Sequence, residues 1–170
     1  MRLNRDTALF LRKSLIYFTA AFVSAIVQTS FLAVLRPLGV VPDLVLLLAL
    51  GVGYFCGAEK GGIIGALSGV VAYALGDVGL AFLPLLYALV GVAAGLLVES
   101  FFAGKFTVWC LYVFCAAAIK GAYSLACCII LSGDVRIFGV LFYTVIPELV
   151  ATLILGAAIY YPMKKLGEVL

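Results

Sequence analysis

The 170 residues contain no histidine, one tryptophan and two methionines, and only 11% of them carry a charge. The lack of histidine removes the usual nitrogen ligand of zinc and copper sites. Five cysteines, Cys56, Cys110, Cys115, Cys127 and Cys128, form no CxxC pair and lie within or beside apolar runs, where they read as small buried hydrophobes. No metal or other cofactor is expected. Polar stretches are equally scarce: none between the apolar runs exceeds a short turn, which leaves no material for a soluble domain. There is no Walker motif, dinucleotide fingerprint, serine elbow or zinc-protease motif, and Ser24, Ser68 and Ser124 are isolated hydroxyls. Enzymatic activity is not expected. The formal net charge of +3 calls for no nucleic-acid partner, because the basic residues fall where a membrane topology signal would place them.

What is abundant is apolar surface. Hydrophobic residues make up 66% of the chain, against about 50% in an ordinary soluble domain. The mean hydropathy is +1.30. Hydrocarbon rather than water must solvate such a surface. Four apolar runs are long enough to read directly as spans: Leu15–Leu35, Phe82–Val98, Phe106–Leu131 and Ile137–Tyr161. The stretch Val41–Gly76 is too long for one span, about 54 Å as a single helix against a hydrocarbon layer of about 30 Å. Glu59 and Lys60, flanked by Gly57, Gly61 and Gly62, mark a break into two helices of roughly sixteen residues. The expected fold is all-α: a single domain over residues 1–170, built as a six-transmembrane-helix bundle, with residues 1–13 as a short basic cytoplasmic tail.

The positive-inside rule supports an even number of spans. Six spans collect Arg2, Arg5, Arg12, Lys13, Lys60, Lys105, Lys164 and Lys165 on one side and leave Arg36 and Arg136 on the other. Both termini are then cytoplasmic. Pro37 and Gly39 close the first helix, Val41-Pro42-Asp43 starts the second, and Ser132-Gly133-Asp134 turns the chain before the last.

Two full charges sit deep in apolar runs: Lys120 in the fifth and Glu148 in the last. Each lies near the middle of its run, and antiparallel neighbours bring those midpoints to one level. Isolated, either is costly in lipid, so an intramembrane pair is expected. It reads first as a structural tie; an ion-coupling role and a polar contact with a partner are the other readings. Pro147, just before Glu148, removes a backbone donor and opens the helix there. Asp43, Asp77 and Glu99 read as boundary or capping residues, and Trp109 as an interfacial anchor.

Gly53, Gly57, Gly61, Gly65 and Gly69 recur every fourth residue, and Gly91 and Gly95 repeat the spacing in the next run. Small residues four apart flatten a helix face and admit another backbone. The face serves internal packing or docks another membrane protein.

Gln28-Thr29-Ser30-Phe31-Leu32, the run Gly39 to Leu48 around Pro42-Asp43, and Gly57 to Gly69 resemble, in order, the rod shape-determining MreD family. Leu85 to Gly95, Pro147-Glu148 and the basic end at Lys164-Lys165 continue the resemblance. The chain departs from the family pattern at Tyr73, where an aspartate is usual, and near Thr152, where an asparagine is. It also lacks the fuller glycine-proline turn after Asp77. The resemblance implies a bacterial inner-membrane, nonenzymatic adaptor of the cell-wall elongation machinery. Such a protein would bind MreC and link to MreB and the wall polymerase–transpeptidase complex. MreD proteins are similar in fold to the substrate-binding subunits of energy-coupling-factor vitamin transporters, which supplies the alternative function.

Overall fold

A computed structural model describes residues 19, 22–28, 42–75, 82–101, 105–132, 139 and 141–169. Among these every regular element is helical: α1 (Leu44–Cys56), α2 (Ala58–Leu75), α3 (Leu83–Phe101), α4 (Phe106–Ser132), one turn of π-helix at Leu141–Val145, and α5 (Ile146–Val169). Residues 22–28 are also helical, with Ala25 wholly buried. The remainder of the first expected span, the basic tail, Pro37, Gly39, Asp77, Gly133-Asp134 and Ile137 lie outside the described residues.

Among the described residues, two segments are long and apolar enough to cross a membrane, Phe106–Ile130 and Leu141–Lys165, whereas Leu44–Cys56 and Leu83–Val98 are shorter apolar helices. Their outward faces are oily: Ile130 is 80% exposed, and Leu89, Ile119 and Ile154 are each more than half exposed.

The break in the long apolar stretch falls at Gly57, two residues before the charged pair expected to make it. Gly57 has φ 98°, a left-handed backbone that favours glycine, and its N–H donates to the Gly53 carbonyl. Glu59 and Lys60 consequently sit in the first turn of α2, with the acid at the positive end of its dipole. Gly57 thus turns the chain, while the other glycines of the ladder pack.

Helix α1 is the axis of the molecule. Every residue from Val45 to Tyr54 is buried, so all of its faces are covered by neighbours. Helices α2 and α3 run antiparallel along each other, with Gly61 against Gly91, Gly65 against Tyr87, Gly69 against Pro84 and Gly95 against Ala58. Gly53 of α1 meets Gly91 and Gly61 at the same place. A side-chain carbon built on any of these glycines would meet the backbone of a neighbouring helix. The ladder is therefore consumed by internal packing of α1, α2 and α3. Helices α4 and α5 form a second antiparallel pair that closes on α1 from the other side.

The C-terminal end of α1, the start of α4 and the C-terminal half of α5 are joined by an aromatic cluster. Tyr54 stacks edge-on against Phe55, Trp109 and Tyr112, and Tyr160 approaches both Phe55 and Trp109. Trp109 is fully buried rather than a surface anchor, and its indole N–H donates to the Gly156 carbonyl at 2.8 Å. Trp109→Phe keeps the ring packing and loses that bond. The expected outcome is a destabilisation of about 1 kcal/mol, read as a lowered melting temperature of the detergent-solubilised protein.

Candidate functional site: a buried ionic cluster

The site begins at the N-terminus of α1. Asp43 is its cap: the Oδ1 atom accepts from the Leu46 N–H at 2.9 Å, satisfying one of the donors a helix start leaves open. Its own N–H donates to Thr152 Oγ1 at 3.1 Å, which ties α1 to α5. The Val45 N–H, two residues on, donates to Gln28 Oε1 at 3.0 Å. The Tyr87 hydroxyl donates to Asp43 Oδ2 at 2.5 Å, bringing in α3.

Lys120 of α4 completes the arrangement. Its Nζ lies 2.6 Å from Asp43 Oδ2 and 2.5 Å from Glu148 Oε1, so one ammonium is held between two carboxylates. The side chains of Asp43 and Lys120 are 1% and 9% exposed, whereas that of Glu148 is 25% exposed. Asp43 accepts from three donors belonging to α1, α3 and α4, which explains how a carboxylate is tolerated with almost no exposure.

Lys120 and Glu148 were expected from sequence to meet; Asp43, Tyr87, Thr152 and Gln28 were not expected beside them. Asp43, read from sequence as a boundary or capping residue, does cap α1, and the structure sets it at the level of Lys120. Helix α4 runs on about 18 Å beyond that point, and α5 begins about 9 Å beyond Thr152, with the π-turn ahead of it. The brevity of α1 is the cause: thirteen residues rise only about 20 Å, so its capped end lies inside the bundle. That shortness was the available signal. A charged cap on a helix too short to span must find partners at depth.

The π-turn lies directly before the Pro147-Glu148 pair. Proline lacks a donor and its ring crowds the carbonyl four residues back, which here is in the π-turn at Tyr143. Widening that turn accommodates Pro147 and sets the direction in which Glu148 leaves the helix.

A small crevice of about 10 Å³ borders the cluster, lined by Asp43, Lys120, Glu148 and Thr152 with Leu46, Ala117 and Val145 among the apolar walls. Among the described residues, no group of three or more cysteine, aspartate or glutamate side chains is placed to hold a metal ion. The arrangement can hold four helical segments in register and can stabilise charge. Compared with known proteins, the chain matches no family model, no curated protein and no solved structure.

Proposed function

We propose that this chain is a six-span protein of the bacterial inner membrane, with both termini cytoplasmic, that acts without turnover as an adaptor of the cell-wall elongation machinery. Its partner is MreC, and through MreC the MreB filaments and the wall polymerase–transpeptidase complex. The observation that carries this reading is where the segments resembling the MreD family fall. Pro42-Asp43 caps α1 within the ionic cluster, the glycines between Gly57 and Gly95 lock α1 to α3, and Pro147-Glu148 follows the π-turn. The similarity lies in residues that build the bundle, so it concerns the whole body rather than one surface motif. The deep charges act on each other, as suits a scaffold.

The crevice beside Lys120 favours a second reading, a substrate-binding subunit of a vitamin transporter of the energy-coupling-factor type. Its size weighs against it, since small-molecule sites ordinarily occupy about 300–1,000 Å³. Mild crosslinking and purification from the native bacterium separate the two. Recovery of MreC is the expected result. Recovery of an ATPase module together with a retained vitamin would replace the adaptor with the transporter subunit.

A further inference from the structure

The helices are joined in two unlike ways. Within α1, α2 and α3 the contacts are backbone against backbone at Gly53, Gly61, Gly65, Gly69, Gly91 and Gly95. Such surfaces cannot slide without collision. The α4–α5 pair meets that block through apolar side chains along α1, among them Leu47 beside Gly156 and Met163 beside Gly51, with the aromatic cluster at one end and the ionic cluster at the other. Between α3 and α4 there is little contact. An apolar groove of about 370 Å³, open along one side, separates them; Leu85, Leu86, Leu89, Ile119 and Tyr123 are among its walls. One hydrogen bond crosses the end nearer the ionic cluster, from the Phe82 N–H to the Tyr123 hydroxyl at 3.1 Å.

We infer that α4 and α5 form a movable arm that pivots on the aromatic cluster, and that the Asp43–Lys120–Glu148 cluster is the latch holding the groove between α3 and α4 narrow. Three features support this. The latch joins α1 of the rigid block to both helices of the arm. The pivot end is held by rings of α1 against rings of α4 and α5 at centroid separations of 5.3 to 5.8 Å, contacts that tolerate small rotations. The π-turn next to Glu148 provides a backbone irregularity where the arm can bend. Release of the latch swings the latch end of α4 from α3, widening the groove while the pivot end stays packed. The state of a few buried charges is thereby converted into the shape of an exposed surface.

The test uses the full-length chain with its five cysteines changed to alanine. Pairs of spin labels are placed at Leu85 and Ala122 near the latch, and at Leu97 and Thr107 near the pivot; all four positions are exposed. In Asp43→Asn the latch-side distance is expected to lengthen by about 5 Å, the scale of a helix stepping past its neighbour, with the pivot-side distance unchanged. Glu148→Gln, at the more exposed arm of the latch, is the second variant if the first fails to fold, and is expected to shift the same pair in the same direction. An unchanged latch-side distance in a folded variant overturns the proposal. So does equal lengthening at both ends, which means general loosening rather than a pivot.

Discussion

Lys120→Ala is expected to abolish most of the folded, monodisperse protein recovered in detergent. Removing the ammonium leaves Asp43 and Glu148 facing each other in a poorly hydrated interior. Breaking a buried ion pair from one side destabilises by about 3–5 kcal/mol, comparable with the whole stability of many domains. The three-way geometry alters what the usual charge-swap rescue should show. In the double variant Lys120→Glu, Glu148→Lys the pair is restored, but the new carboxylate at position 120 stands where Asp43 previously met an ammonium. Rescue is expected to be small, and adding Asp43→Asn is expected to enlarge it. The measurement is the monodisperse fraction on gel filtration for the four chains. Equal recovery of the double and triple variants would show that Asp43 is not energetically coupled to Lys120, and normal recovery of Lys120→Ala would remove the cluster as a support of the fold.

Gly91→Ala is expected to be nearly as damaging, for a steric reason. A methyl group there would run into the Gly61 carbonyl, and no side-chain rotation relieves a collision with backbone. Overpacking of a core typically costs about 1–3 kcal/mol. The upper end is expected here, because Gly53 and Gly61 meet at the same point and three helices would have to part together. Gly139→Ala is the control: among the described residues nothing lies within 4 Å of the added carbon, and its effect should stay within about 0.5 kcal/mol. Thermal unfolding of the two variants in one detergent compares them. Similar melting temperatures would show that the close approach at Gly91 is not needed for stability.

Much of the architecture could be read from the residues because its causes are local or compositional. Apolar content and run length called for helices in a hydrocarbon environment, and four-residue spacing of glycine called for close backbone contact. The exact turn was less legible. Glu59 and Lys60 drew attention by their charge, but a chain reverses where its backbone can take a positive φ, and Gly57 is that place. Trp109 was misread for a related reason. A lone tryptophan near the end of an apolar run looks the same whether it faces lipid or, as here, packs against Phe55 and Tyr160.

The sequence by itself determined that two opposite charges, Lys120 and Glu148, had to be accommodated within long apolar segments, since leaving either alone in hydrocarbon is too costly. Only the tertiary structure decided that Asp43 joins them. Depth is a property of how helices of unequal length are stacked: α1 rises about 20 Å and α4 about 40 Å, so the start of one lies beside the middle of the other. No pattern within a single segment encodes that offset. It arises when the glycine contacts set α1 against α2 and α3 and the aromatic cluster aligns the end of α1 with the start of α4.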